Sequence, residues 1–403
     1  MKNIELSDWG YTEPKKMTES DLNRIDTEIN RDSVKIGVSH TRDGRAKLCR
    51  KKYVGVSSLP SGRIVEIKPK AAEGNLLNLL RYASGTDVEI IENQEEFKEG
   101  SNFIQAVAQL FLDEMETLLR SGLRKEYVRK ESKEKYVRGQ INEQKQLQTH
   151  GAVVTDFECS FEELSHDNEL NQAILYSTAV LARIVQDQVL ESELIHFREL
   201  LRKKITLRKV EPVELNDIEL NRLNEEYKQI LQLCETVINS SFVQSMESGN
   251  SSSYSFFIDM EKVFEKVVER AFKEIVENQG YNVCPQDKTN NLLRGGNSSV
   301  NMFPDIVLKN GENSILVADA KWKTSTENAD VYQLVAYELA HETSGLLIYP
   351  EQEGDIEDKY TMKTGGDLQL LEIPTKKRET FKEWHRELKK NLEEVLRNLD
   401  LED

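Results

Sequence analysis

The sequence predicts a mixed α/β protein, α+β overall, with a β-rich N-terminal region, a helical connector and a C-terminal α/β core. Three observations carry this expectation. Near the N-terminus, Val34-Lys35-Ile36-Gly37-Val38 and Arg63-Ile64-Val65-Glu66-Ile67-Lys68-Pro69 alternate apolar and polar side chains, the period of a half-buried strand. Residues 160 to 242 instead repeat apolar side chains at helical spacing, as in Leu170, Ile174, Leu175, Val180, Leu181 and Ile184. Further on, two apolar runs flank Asn310-Gly311, the strongest short-range hairpin signal.

The elements follow in chain order. Between the first two strands lies a polar, basic connection with Arg42, Asp43-Gly44, Arg45 and Arg50. Asp43-Gly44 suits a hairpin turn, and the arginines read from sequence as a solvated loop. Leu76, Leu77, Leu79 and Leu80 suggest a short helix over residues 74 to 84. A clearer helix spans residues 101 to 121, with Ser101 as N-cap and Gly122 as stop. Glu126-Tyr127-Val128-Arg129 and Lys135-Tyr136-Val137-Arg138 read as two strands around Glu131-Ser132-Lys133. Two uses fit that pair: a nucleic-acid ribbon, because basic residues and tyrosines alternate, or an edge hairpin protected by charge.

A second helical run covers residues 220 to 238, and then composition changes. Ser245-Met246-Glu247-Ser248-Gly249-Asn250-Ser251-Ser252-Ser253 reads as a linker. The expected domains are therefore 1–100, 101–244 and 254–403. Residues 256 to 275 read as a helix, with Phe264, Val267, Val268 and Phe272 on one apolar stripe. Residues 328 to 342 read as another, and Gly345-Leu346-Leu347-Ile348-Tyr349-Pro350 as a buried strand. The acidic end, residues 381 to 403, reads as a solvated surface helix with a frayed tail.

Composition narrows the function. The 403 residues carry a net charge of −17, whereas a self-sufficient nucleic-acid binder is usually basic. Any contact with DNA should be local, assisted by a metal or supplied by a partner. The four cysteines, Cys49, Cys159, Cys234 and Cys284, are scattered with no Cys-x-x-Cys pair, which argues against a structural zinc site and suits a reducing, cytoplasmic location. The N-terminus has no signal-peptide core, and no run is long enough to cross a membrane. There is no phosphate-binding loop of the G-x-x-x-x-G-K-[ST] type, so nucleotide hydrolysis by this chain is not expected.

The densest chemical signal is Phe303-Pro304-Asp305-Ile306-Val307-Leu308 followed by Leu316-Val317-Ala318-Asp319-Ala320-Lys321. Folded as a hairpin, it brings Asp305, Asp319 and Lys321 together. Asp319 and Lys321 are two apart and project from one face of their strand. Two carboxylates can hold a hard divalent cation such as Mg²⁺, and the ammonium can orient water or offset phosphate charge. That combination suits metal-assisted phosphodiester hydrolysis; a surface hairpin with charged ends is the plainer alternative.

The pattern resembles the PD-(D/E)xK nuclease superfamily. The resemblance implies that Asp305 and Asp319, with the Ala320 carbonyl, hold Mg²⁺ or Mn²⁺, and that Lys321 serves the attacking water or the phosphate. It also implies an acid from the preceding helix, the slot filled by Glu265, which read alone is equally an ordinary surface charge. RecB-related members carry Gln-x-x-x-Tyr after the lysine. Gln333 and Tyr337 match that spacing and share a helix face, where Gln333 would support the site and Tyr337 would contact DNA or pack in the core.

Over most of its length the chain resembles the McrC family of modification-dependent McrBC restriction systems. Four segments carry this: Tyr53-Val54-Gly55-Val56 leading to residues 64 to 70; Val137-Arg138-Gly139-Gln140-Ile141; Phe161-Glu162-Glu163-Leu164-Ser165-His166-Asp167-Asn168 with Asn171; and the core from Phe264 to Tyr349. His166 reads as structural within its segment. The resemblance implies an endonuclease subunit of a 5-methylcytosine-type restriction complex. It would be active only with an McrB-like AAA+ GTPase hexamer, which binds the GTP and holds the double-stranded modified DNA. The segment from Val34 to Lys70 would then meet the partner, with Arg42, Arg45 or Arg50 affecting GTP hydrolysis. Two rivals stay open: a stand-alone RecB-like repair nuclease, and a catalytically silent activator of a GTPase ring.

Overall fold

The computed structural model describes residues 4–6, 11–31, 33–68, 75–85, 103–150, 155–216, 218, 224–243, 254–276, 279–287, 302–323, 325–351, 359–361, 367–376 and 378–398. The fold is mixed α/β. Its contacts group the chain into two compact units: residues 1–106 with 242–403, and residues 107–241. The N-terminal strands and the segment after the linker thus share a unit, where the sequence suggested separate domains. The linker at 245–253 and the Ser101 cap lie outside the described residues.

In the first unit, Ile4–Leu6, Ile64–Ile67, Tyr53–Ser58 and Tyr254–Asp259 lie side by side in one sheet. The last of these corrects the expectation of a helix over residues 256 to 275. Tyr254–Asp259 pairs antiparallel with Tyr53–Ser58, and the helix runs only from Met260 to Val276. The apolar run Phe256-Phe257-Ile258 is buried throughout, and such a run has no period to separate strand from helix. Thr18 caps the short helix Glu19–Arg24 in a reciprocal box with Asp21. Asp21 is itself buried, accepting the Ser61 backbone N–H and pairing with Arg63 at 2.9 Å. A core of Ile4, Leu6, Ile25, Ile29, Val65, Ile67 and Phe257 seals this part. The expected turn at Asp43-Gly44 joins Ile36–His40 to Ala46–Arg50.

The same unit holds a six-stranded sheet. Its order is Asn282–Pro285, Ile306–Asn310, Asn313–Ala320, Ser344–Pro350, Asp367–Ile373 and Lys359–Thr361. The hairpin turns through Gly311-Glu312, with Gly311 at φ +61°, a conformation that glycine adopts without steric cost. The helix Asn328–His341 crosses from Asn313–Ala320 to the parallel strand Ser344–Pro350. The closing helix Phe381–Asn398 is not a solvated one. Phe381, Trp384, Leu388, Leu392 and Val395 are buried, and it packs on Met260–Val276 and Asp367–Ile373. Their spacing of three and four residues forms a stripe that the charge between them hid.

In the second unit, Glu126–Glu134 runs unbroken along Phe157–Ser165, and Gln140–Ile141 pairs with the same strand. No turn forms at Glu131-Ser132-Lys133; it holds no Gly, Pro, Asn or Asp, and nine cross-strand pairs carry the strand through. Residues 160 to 165 are strand as well, and helices follow at Glu169–Ile184, Gln188–Arg202 and Lys228–Ser240. The Asp167-Asn168 motif is a scaffold. Asn168 caps Glu169–Ile184, and Asp167 accepts from Thr206 and Gln172.

Candidate active site

The site grows from the hairpin register. Ile306 pairs with Ala318, so Asp305, one residue before its strand, stands level with Asp319. The Ala320 backbone N–H donates to Asp305 Oδ2 at 2.8 Å. On the other side the Lys321 backbone N–H donates to the Ile348 carbonyl at 2.8 Å, extending the parallel ladder past the strand end. Both backbone groups flanking Asp319 and Lys321 are therefore held by neighbouring strands.

The side chains meet as the register requires. Asp319 is 1% exposed, and Lys321 Nζ stands 2.5 Å from its Oδ2, a contact of charges rather than an aligned hydrogen bond. Burial pushes the Asp305 carboxyl up to about 8, helped by the charges of Asp319 and Glu265. Burial works against the Lys321 charge, but Asp319 and then Asp305 outweigh it, so the ammonium is held more firmly than usual. Glu265, on Met260–Val276, has its carboxyl pushed up by burial, Glu261 and Asp259, while Lys52 and Lys321 pull the other way. It belongs to the same electrostatic cluster.

Gln333 and Tyr337 act on this cluster from behind. Gln333 Nε2 donates to Tyr337 Oη at 2.9 Å, and Tyr337 Oη donates to the Phe303 carbonyl at 3.1 Å. Tyr337 is buried within the core around Val307, Val317 and Leu347. It is a packing residue and also a tether for the chain entering Asp305.

Three groups escaped the sequence reading. Lys323 Nζ lies 2.8 and 3.1 Å from the two oxygens of buried Asp330, and Tyr349 Oη donates to the same carboxylate at 3.4 Å. Lys52 bridges Asp259 at 3.1 Å and Glu261 at 2.5 Å, one helical turn before Glu265. The repeat Lys321-Trp322-Lys323 was a visible signal for Lys323; Asp330 looked like an ordinary first-turn acid, and nothing local marked Lys52. Arg42 and Arg45 sit at the exposed tip between Ile36–His40 and Ala46–Arg50, with Arg45 paired to Asp43 at 3.1 Å. The Arg50 side chain lies outside the described residues.

A divalent cation fits these residues in one particular way. Among the described residues no three His, Cys, Asp or Glu side chains converge as a complete cage. Mg²⁺ does not need one, since it keeps several waters and takes one or two carboxylates plus substrate phosphates. Two carboxyl groups of which one is driven, first by burial and then by the charge of the other, to hold its proton are a donor set such an ion would relieve.

The family profile of the McrBC 5-methylcytosine restriction system component matches residues 48–350. The chain belongs to the McrBC family. The match begins within Ala46–Arg50 and takes in Tyr53–Ser58, Ile64–Ile67 and the hairpin with its following helix and strand. Among solved structures, one similar to this McrBC-family chain is the refined half-complex from the tetradecameric assembly of Thermococcus gammatolerans McrB AAA+ hexamers with bound McrC. It shows 17% identity and a TM-score of 0.53, covering 94% of this chain and 90% of that one; at that identity the likeness is one of fold. The cryo-EM structure of the Thermococcus gammatolerans McrBC complex matches at 21% identity and a TM-score of 0.39, over 65% of this chain and 76% of that one. No curated protein matches. Among the described residues, no helix of this McrBC-family chain is long and apolar enough to cross a membrane.

Proposed function

We propose that this chain is the DNA-cleaving subunit of a modification-dependent restriction complex. The observation that carries this reading is the convergence of Asp305, Asp319 and Lys321 at one end of the hairpin, in a chain of the McrBC family. Asp305 and Asp319 would hold Mg²⁺ or Mn²⁺ with the Ala320 carbonyl and solvent. The cation would supply Lewis-acid stabilisation of the phosphate and acidify a nearby water.

The chain's own residues do the rest. Lys321, kept cationic by Asp319, faces the charge that develops on a phosphate under attack. Glu265 is half-buried among acids and serves as a proton acceptor or as a further anchor for ordered water. Gln333 and Tyr337 hold the entry to Asp305 in place. The acidic balance of the chain, −17 overall, fits a subunit whose partner grips the DNA. The solved relative is described as bound to McrB AAA+ hexamers, and a ring of that kind is the partner proposed here, binding the GTP. The tip with Arg42 and Arg45, together with Arg50, is the surface proposed to touch it.

The test is cleavage of methylated and unmethylated plasmid with Mg²⁺, with and without an McrB-like AAA+ GTPase and GTP. Cleavage that needs methylation, partner and GTP is expected. Cleavage by this chain alone would make it a stand-alone nuclease. GTP turnover without any cutting would make it a silent activator.

A further inference from the structure

In the second unit a recess of about 470 Å³ is lined by Arg202, Lys203, Lys204, Ile205, Thr206 and Leu207. This is the turn that closes the helix Gln188–Arg202. Thr206 fixes the turn to the Asp167 carboxylate, its backbone N–H donating at 3.0 Å and its hydroxyl at 2.6 Å. Asp167 follows His166, and strand register brings another cation to the same place. Glu126 pairs with Ser165, so Lys125 and His166 are the next residues out on the two strands. The base of Lys125 is rigid: the Arg124 backbone N–H donates to Tyr227 Oη at 2.7 Å, and the Arg124 carbonyl accepts from Asn171 Nδ2 at 2.9 Å. Burial, and then the charges of Lys204 and Lys125, hold the His166 imidazole below its usual value, as both ammoniums beside it require.

These lysines differ from the other cations of their unit. Lys130 and Arg138 are matched by Glu163, Lys133 by Asp156 and Lys145 by Glu131. Lys125, Lys203 and Lys204 are exposed and pair with no carboxylate among the described residues. Three unmatched ammoniums are thus gathered in one place on a chain of net charge −17. The dipole of a helix draws cations to its last turn, which accounts for Arg202 and Lys203 but not for Lys125, on another element. Of the apolar lining, Ile205 is buried and Leu207 half-buried. Protein interfaces are instead apolar at their centre and depleted in lysine. Compact ammoniums around a recess with no apolar centre suit phosphate oxygens.

We propose that Lys125, Lys203 and Lys204 contact the sugar–phosphate backbone of double-stranded DNA. Such a contact positions the duplex and carries no base information, so it serves methylated and unmethylated DNA alike. The proposal rests on the reading of this chain as a DNA-cleaving subunit. It adds a local hold on the duplex, from an otherwise acidic chain, to the grip of the partner.

The test is DNA binding by the full chain without metal or partner, read as the fluorescence anisotropy of a short labelled duplex from ~50 to ~200 mM KCl. The logarithm of the affinity should fall linearly with that of the salt concentration. Lys125→Ala, Lys203→Ala and Lys204→Ala should each reduce the slope by about 1. The triple variant should lose about 3 in slope and bind at least about tenfold more weakly at ~50 mM salt. All three side chains are exposed, so the melting temperature should not move. Lys133→Ala removes an ammonium already matched by Asp156 and should keep the slope. No binding by the unaltered chain at ~50 mM salt, an unchanged slope in the triple variant, or an equal loss in Lys133→Ala would each overturn the proposal. Polyglutamate that competes as well as the duplex would overturn it too, and would assign the patch to an acidic protein surface. Plasmid cleavage with the McrB-like partner is scored separately: cutting with an unchanged slope removes only the patch, and a reduced slope without cutting removes only the cleavage reading.

Discussion

The Ala320 backbone N–H donates to the Asp305 carboxylate at 2.8 Å, so the two strands of the hairpin are joined at the place where their acids converge. The bond ties the position of one acid to the backbone beside the other. The bond favours the ionised form of Asp305, but burial and then the charges of Asp319 and Glu265 outweigh it and push the carboxyl up to about 8.

Cation binding should therefore be pH-dependent. Ligating oxygens must be deprotonated, so Mg²⁺ affinity is expected to rise by up to about tenfold per pH unit below 8 and to level off above it. Calorimetric titration at pH 6.5, 7.5 and 8.5 reads this directly. For the metal-free chain, a raised carboxyl stabilises the fold at low pH, and that contribution is lost as pH climbs towards 8. Asp305→Asn should remove the pH slope of Mg²⁺ binding; an unchanged slope would place the ion elsewhere.

Lys321 balances Asp319 in a nearly closed site. Lys321→Ala is expected to lower cleavage at least about 100-fold and to leave cation binding in place. Lys321→Arg should not restore the rate, because a planar fork does not reproduce a compact ammonium. Single-turnover rates at saturating partner and GTP check this. Full activity in Lys321→Ala would remove the lysine from the chemistry.

Glu338 and Gly345 form a second tight pair beneath the sheet. A Cβ at Gly345 would lie 2.2 Å from Glu338 Oε1, and Glu338 is too deeply buried to swing away. Gly345→Ala should cost about 1–3 kcal/mol in denaturant unfolding. Burial pushes the Glu338 carboxyl up to about 7. Its contribution to stability is present below about pH 4 and is lost as pH rises through 7, a change of roughly 3 kcal/mol. Glu338→Gln should flatten that dependence and raise the melting temperature at pH 8.

Tyr337 holds the Phe303 carbonyl, two residues before Asp305. Tyr337→Phe keeps the ring in the core and loses about 1 kcal/mol of stability. Its cleavage rate should fall more than its melting temperature suggests, because the chain entering Asp305 is no longer tethered. Gln333→Ala removes the hydrogen bond to the same hydroxyl and should show a smaller loss of the same kind. Parallel measurement of melting and cleavage separates the two effects.

Much of the core was legible in the residues themselves. A hairpin with acids at matching ends, a helix over 328 to 342 and a buried strand from 345 to 350 follow from turn chemistry and periodicity, which are local, and the structure ends the helix at His341 and starts the strand at Ser344. Side chains two apart on one strand must share a face, so Asp319 and Lys321 were bound to meet. Fully apolar or heavily charged segments were less readable: Phe256-Phe257-Ile258 carries no period, and the stripe on Phe381–Asn398 lies under its charges.

Tertiary structure decided what depends on distant partners. The sheet shared by Tyr53–Ser58 and Tyr254–Asp259 brings together residues about two hundred positions apart. That pairing delivers Lys52 to Asp259 and Glu261. The crossover to Ser344–Pro350 puts Tyr349 against Asp330. The protonation of Asp305 also belongs to the folded state, since burial drives it and burial is a property of the packed chain. The sequence alone specified which chemical groups lie on which local face; which of them share a dry, charged enclosure was set by long-range pairing, which leaves no local pattern.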